Sequence, residues 1–222
     1  MTSVSLNEQL RQLSIHYDIL AKTHCYSPHA VQQSSAETQE RRLNVLLEGF
    51  ANLKYKKILD FGCGTGHLLR VLQQQGFAGE YVGYDISAEL IKLALEHNVG
   101  GRFELRNIFE RPPEESFDLV FVSGVFNNDV GHNEDFMQEA LSLLFAAAKD
   151  GLAFNCLSTF VDFKSEGLYY FDPCKVFTFC KEQLTPCVTL RHDYEVKPGV
   201  LPFEFSCYLH KSVHRARRNC HD

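Results

Sequence analysis

The sequence has no tryptophan, so its aromatic load falls on eighteen Phe and nine Tyr. It lacks a long apolar run: the longest mostly apolar stretch, Ala140 to Ala148, is far shorter than the ~20 residues a bilayer-spanning helix needs. The first residues include Glu8, Arg11 and Asp18 and show no apolar leader core. These two absences set the expectation of no membrane association. Eight cysteines are present, yet none are spaced C-x-x-C and the close-spaced ligand pairs of a zinc site are lacking, so no metal is expected. Cys63, Cys156 and Cys207 lie in apolar, strand-like runs. The expectation is buried or partly buried free thiols in a reducing cytoplasm. Positive charge is also short: 22 Lys and Arg stand against 28 Asp and Glu, net -6. That balance argues against a protein living on phosphate backbones, so nucleic acid is not expected as a partner.

What is present is an ordinary globular composition, 45% apolar and 23% charged. A chain of 222 residues makes one domain with room for one elaboration. Leu6, Leu10, Leu13, Tyr17 and Leu20 recur at three- and four-residue steps, one face of a helix. Ser27-Pro28 breaks it, and a second helix is expected from Ser34 to Phe50. Strands and helices then alternate: strands at Lys57 to Phe61, Tyr81 to Tyr84, Arg102 to Arg106, Asp118 to Ser123 and Leu152 to Leu157, with helices at His67 to Gln75, Ala88 to His97 and Glu134 to Ala148. This is the signature of a parallel α/β sheet with helices on both faces. A helix capped by Asp172-Pro173 runs to about Leu184. The strands Val188 to Arg191 and Phe203 to His210 are joined by a link too short for a helical crossover, so they pair antiparallel. The chain divides into an N-terminal helical lid (1–55), a sheet domain (56–210) and a basic tail (211–222) with Lys211, Arg215, Arg217 and Arg218.

The most informative segment is ILDFGCGTGHLL, Ile58 to Leu69. A buried strand ends at Asp60, and Gly62, Gly64 and Gly66 follow before a helix. Glycines there allow a tight turn and close approach of a ligand to the backbone. The dinucleotide fingerprint G-x-G-x-x-G is not met, because His67 stands at its third glycine. An acid two residues before the first Gly repels a pyrophosphate and welcomes an ammonium or sulfonium. Asp85, at the tip of the next strand in YVGYDIS, can take both hydroxyls of a ribose. The pocket therefore expects an adenosine-like ribose with a cationic amino acid portion.

This combination resembles the class I S-adenosylmethionine-dependent methyltransferases of the bacterial small-molecule type, over about Ser34 to Tyr208. The resemblance implies a Rossmann-like seven-stranded, mostly parallel sheet with one antiparallel C-terminal strand, and S-adenosyl-L-methionine as cofactor with S-adenosyl-L-homocysteine as product. It implies that Asp60 and the Gly62 backbone hold the methionine amino end, that Gly64 lies under the cofactor, and that Asp85 holds the ribose with Ile86 against the adenine. Asn107 stands where the family commonly places an acid for the adenine amino group; its amide oxygen can accept that bond, and the Ile108 N–H can donate to the ring. Ser123, at the tip of the fourth strand, flanks the methionine portion. The lead-in SPHAVQQSSAETQERRL resembles a subgroup in which a Gln and an Arg precede the sheet. Arg42 is the candidate partner of the methionine carboxylate, and Tyr17 can close over the sulfonium.

Methyl transfer is an in-line displacement that chiefly requires alignment and a dry site. A base is needed only where the acceptor must lose a proton; His192, at a strand tip, is the first candidate and His132 the second. No NPPY-type tetrad follows the fourth strand, where Ser123-Gly124-Val125-Phe126 stands, and no acid trio fits a magnesium-assisted site. The expectation is a methyltransferase acting on a small molecule, with oxygen as acceptor, as monomer or homodimer. An RNA or protein methyltransferase, and a non-catalytic cofactor-binding subunit, are the competing readings. Tyr169-Tyr170-Phe171 is read either as a stacking platform for a planar substrate or as a core plug.

Overall fold

The computed structural model describes residues 6–211. Its strands are β1 (Lys57–Phe61), β2 (Glu80–Asp85), β3 (Gly101–Leu105), β4 (Phe117–Val122), β5 (Ala148–Leu157), β6 (Val188–Arg191) and β7 (Glu204–His210). They form one sheet in the order β3-β2-β1-β4-β5-β7-β6. β1 to β5 pair parallel. β7 pairs antiparallel with both β5 and β6, so β6 runs with the first five and β7 alone is reversed, as the short link before it requires.

The helices are α1 (Leu6–His24), α2 (Ala36–Leu47), α3 (His67–Gln74), α4 (Ala88–His97), α5 (Asn133–Ala147) and α6 (Pro173–Phe179). Successive strand residues point to opposite faces, and both faces are buried. Leu59, Val120, Val122, Leu152 and Phe154 share one core with Phe136 and Leu141 of α5 and Val176 of α6. Ile58, Leu119, Phe121 and Ala153 share the other with Leu43 and Leu46 of α2 and Leu68 and Leu72 of α3. Hence the strands read as near-continuous apolar runs rather than alternating ones.

Helix ends follow their capping chemistry. Ser35 accepts the Thr38 N–H at 3.2 Å, so α2 starts at Ala36 rather than Ser34. Ser87 accepts the Leu90 N–H at 3.2 Å and opens α4. Asp172 caps α6, with Pro173 in its first turn. The helix expected to reach Leu184 is α-helical only to Phe179 and widens into a π turn over Cys180–Leu184. β5 begins at Ala148, directly after α5, where Ala148 pairs with Phe117. Cys63 lies in the turn after β1 rather than in a strand, and is buried there.

The chain moves outward from β1 through β2 to β3, then returns to lay β4 on the other side of β1. A crevice opens at such a switch point, at the carboxyl ends of the strands. Of the basic tail only Lys211 is described. Its N–H donates to the Asp150 carbonyl at 2.8 Å and its ammonium sits 4.0 Å from the Phe145 ring centroid. Arg215, Arg217 and Arg218 lie outside the described residues. No described helix is long and apolar enough to cross a membrane.

Candidate active site

The turn after β1 is held by the neighbouring strand. The N–H groups of Gly62 and Cys63 both donate to the Tyr84 carbonyl, at 2.8 and 3.0 Å. Gly62 and Gly64 have φ of +74° and +54°, in the left-handed region that favours glycine. A Cβ on Gly62 would stand 2.3 Å from Val125 Cγ2, and one on Gly64 2.7 Å from Val31 Cγ1. The loop is thus closely covered by the turn after β4 and by the N-terminal segment.

Two buried carboxylates flank this loop. Asp85 Oδ2 accepts the Gly64 N–H at 2.8 Å, and its Oδ1 accepts the Ser87 N–H at 2.9 Å. Burial raises the Asp85 pKa, and these backbone donors oppose the rise. Asp60 Oδ2 accepts the Tyr81 hydroxyl at 2.6 Å. Burial pushes Asp60 up to about 7 despite that bond, with the Asp85 charge adding to the rise.

A cleft of about 970 Å³, counted to its open mouth, lies at the β1/β4 switch point. Tyr17, Asp60, Gly62, Gly64, Asp85, Ile86, Asn107, Ile108 and Ser123 all line it. The tips of β1, β2, β3 and β4 therefore converge on one space. Asn107 Oδ1 accepts the Phe109 N–H at 3.1 Å, which fixes the amide in the turn after β3. Leu10, Leu13, Val31 and Leu43 form the apolar roof, and no Lys or Arg is among the described lining residues.

The roof is pinned by polar bonds. Ser14 Oγ donates to the Ile86 carbonyl at 2.8 Å, and Ser87 Oγ donates to Asp18 at 2.6 Å. Asn128 Nδ2 donates to the Tyr17 oxygen at 2.8 Å, and the Tyr17 hydroxyl donates to Gln32 Oε1 at 3.0 Å. Desolvation pushes the Tyr17 phenol up to about 12. This bridge joins α1 to the loop after β4 above the cleft.

Three expected site residues stand elsewhere. Arg42 does not line the cleft: its Nε donates to Glu204 at 2.7 Å and its Nη1 to Gln33 Oε1, so an internal carboxylate occupies the guanidinium. His192 is also off the lining, with ring centroids 6.0 Å from Phe160 and 6.2 Å from Phe205; burial lowers its pKa. His132 precedes α5, where its carbonyl accepts the Phe136 N–H at 2.9 Å and its side chain makes no capping bond. Tyr169-Tyr170-Phe171 does not reach the cleft either. Phe171 is buried in the α5/α6 core, and the Tyr169 ring packs on it at 4.7 Å.

Sequence reasoning left out three polar lining residues, His67, Gln33 and Gln39. His67 is buried beside Arg70, whose Nη2 bonds its Nδ1. Burial and that charge lower His67 to about 4, so it is a neutral imidazole. Its signal was its place at the third glycine of the dinucleotide fingerprint. Gln33 and Gln39 were signalled only by the Gln-plus-Arg lead-in.

A pocket with two buried carboxylates and no cation among its described lining residues suits a ligand that carries positive charge and a vicinal diol, because hydroxyls and ammonium donate where carboxylates accept. Among the described residues no cluster of His, Cys, Asp and Glu could hold a metal.

A family model described as a methyltransferase domain matches residues 52–151. Rv1506c of Mycobacterium tuberculosis, described as a candidate methyltransferase, is 32% identical over 161 residues, covering 70% of this chain and 93% of that protein. The fold is similar to magnesium protoporphyrin IX methyltransferase from Synechocystis PCC 6803 with bound SAM, at TM-score 0.69 and 12% identity over 95% of this chain and 100% of that one. It is also similar to the plantazolicin methyltransferase BpumL in complex with a triazolic desmethylPZN analog and SAH, at TM-score 0.63 and 13% identity over 92% and 98%.

Proposed function

The chain belongs to the class I S-adenosylmethionine-dependent methyltransferases, and from that premise we propose that it methylates a small-molecule acceptor at oxygen. The observation that carries this reading is the cleft: it is roofed by α1 and the turn at Val31, and its described lining holds no Lys or Arg. A polyanionic polymer would call for an open, cationic trough. The two similar structures named above, a magnesium protoporphyrin IX methyltransferase and a plantazolicin methyltransferase in complex with a desmethylPZN analog, support a small acceptor.

The residues present fit the cofactor. Asp85, already oriented by two backbone N–H groups, accepts the ribose hydroxyls. Asp60 faces the ammonium, and Gly62 and Gly64 let the methionine portion lie against the backbone. Ile86 packs on the adenine, with Asn107 and the Ile108 N–H reading its edge, and Ser123 flanks the methionine chain. When bound, S-adenosylmethionine supplies a methyl group on a cationic sulfur, a carbon already activated for displacement. The Tyr17 ring face stabilises positive charge beneath the roof, and Leu10, Leu13 and Val31 exclude water.

The acceptor oxygen's lone pair forms the new O–C bond as the C–S bond breaks, and that pair stays on sulfur. The lining imidazole, His67, is neutral and buried, while His192 and His132 stand off the lining. An acceptor that arrives ionised, such as a carboxylate, requires no base.

The test uses S-adenosylmethionine carrying a ¹³C methyl, the full chain and a cell extract split into small-molecule, RNA and protein fractions. The expected result is label in the small-molecule fraction with the chemical shift of an oxygen-bound methyl. Label in RNA or protein, on nitrogen or carbon, or in no fraction overturns the reading.

A further inference from the structure

Gln33 lines the cleft and Arg42 does not. Arg42 Nη1 bonds Gln33 Oε1. A guanidinium has only donors, so the amide must present its oxygen to Arg42 and turn its NH2 the other way. That nitrogen lies 3.8 Å from where a Cβ on Gly124 would stand, beside Ser123. The backbone is fixed too, since the Gln33 N–H donates to the Pro28 carbonyl at 2.9 Å.

Arg42 is itself locked. Glu204, buried to 1% exposure of its side chain, accepts Arg42 Nε at 2.7 Å. Glu204 Oε1 also accepts from Asn155 Nδ2 and the Tyr194 hydroxyl, each at 3.3 Å. Asn155 Oδ1 in turn accepts the Gly124 N–H at 2.8 Å. The chain of bonds thus begins and ends on the cleft wall, running Gly124, Asn155, Glu204, Arg42, Gln33. Glu204 neutralises the guanidinium, so what reaches the cleft is an uncharged amide donor with one allowed orientation.

We propose that Gln33 is the direct hydrogen-bond donor to the methionine carboxylate of the cofactor, and that Arg42 and Glu204 are positioning residues that aim its amide. The assignment rests on the cofactor placement above, with the methionine end toward Asp60 and Ser123. It separates the two ends of the amino acid: the ammonium faces Asp60, and the carboxylate faces a neutral donor.

The test compares S-adenosylhomocysteine with 5′-methylthioadenosine, which keeps the adenosine and thioether but has no carboxylate. Both are titrated calorimetrically into the full wild-type chain and into Gln33→Ala and Gln33→Glu. Gln33→Ala is expected to weaken S-adenosylhomocysteine roughly tenfold, the loss of one bond to a charged group, and to leave methylthioadenosine within about twofold. Gln33→Glu is expected to weaken S-adenosylhomocysteine further, because carboxylate then faces carboxylate. Its melting temperature should stay at or above wild type, because the new carboxylate still accepts from Arg42. Arg42→Lys, which cannot serve Glu204 and Gln33 with one planar fork, should show the same ligand selectivity as Gln33→Ala. Unchanged S-adenosylhomocysteine affinity in both Gln33 variants, or equal losses for the two ligands, overturns the assignment. Failure of both ligands to bind wild type overturns the cofactor placement and this assignment with it.

Discussion

The carboxylate of Asp85, at the end of β2, accepts the backbone N–H of Gly64, in the turn after β1, at 2.8 Å. One buried side chain therefore fixes both its own orientation and the shape of the glycine loop. Its second oxygen is held by the Ser87 N–H at 2.9 Å, and a carboxylate has lone pairs enough to accept a diol as well.

Replacing Asp85 should remove cofactor binding. Ligand at about 100 times its dissociation constant stabilises a fold by ~2.7 kcal/mol, read as a rise in melting temperature. Asp85→Ala should show no such rise with S-adenosylhomocysteine. Asp85→Asn, which keeps one acceptor oxygen, should bind roughly 10- to 100-fold more weakly by calorimetry. An unchanged thermal shift in Asp85→Ala would place the ribose elsewhere.

Asp60 gives the site a pH dependence. Its carboxyl is pushed to about 7 in the fold from an ordinary 3.8. Between those values the folded chain holds a proton that the unfolded chain has released, so this group favours the fold at low pH. Its contribution is lost as pH rises from 3.8 to about 7, by on the order of 4 kcal/mol. A cationic ligand group favours the ionised form and expels the proton. At about pH 6, calorimetry in buffers of different ionisation enthalpy should show proton release on cofactor binding, and affinity should fall with further acidification. Asp60→Asn should show neither effect; proton release retained in that variant would assign it to another group.

Gly64→Ala should fail in two ways. Its φ of +54° disfavours a side chain, and the new Cβ would stand 2.7 Å from Val31 Cγ1. Strain of about 1–3 kcal/mol is expected, together with loss of the cofactor-induced thermal shift. A variant with wild-type melting temperature and affinity would contradict the close cover of the loop by Val31.

Tyr17 separates lid bonding from charge recognition. Tyr17→Phe removes the bridge between Asn128 and Gln32, and should cost about 1 kcal/mol and speed amide exchange in α1. The ring face remains, so cofactor affinity should change little. Tyr17→Ala should weaken S-adenosylmethionine more than S-adenosylhomocysteine, because only the former carries the sulfonium. Equal losses would remove the ring from charge recognition.

Local physics made the fold legible, along with the convergence of Asp60 and Asp85 on one cleft. β1 falls on its expected residues because a buried parallel strand ended by Asp60 and spaced glycines has few other conformations. α4 does so because Ser87 caps it and Asn98 ends it. Asp60 and Asp85 were readable because strand tips in a parallel sheet share one edge. Arg42 misled because its partner, Glu204, lies 162 residues away, and no local signal reports a buried ion pair at that separation. His192 misled because a strand tip near the edge of the sheet need not reach the switch point; its ring settled between Phe160 and Phe205. The widening of α6 at Cys180 and the packing of Tyr169 on Phe171 are likewise tertiary outcomes.

The most direct test is a crystal structure of the chain with S-adenosylhomocysteine. The account predicts one molecule in the cleft at the β1/β4 switch point, its ribose hydroxyls on Asp85 and its amino acid end beside Asp60, Gly62 and Ser123. A cofactor bound outside this cleft, or with its ribose away from Asp85, would contradict it.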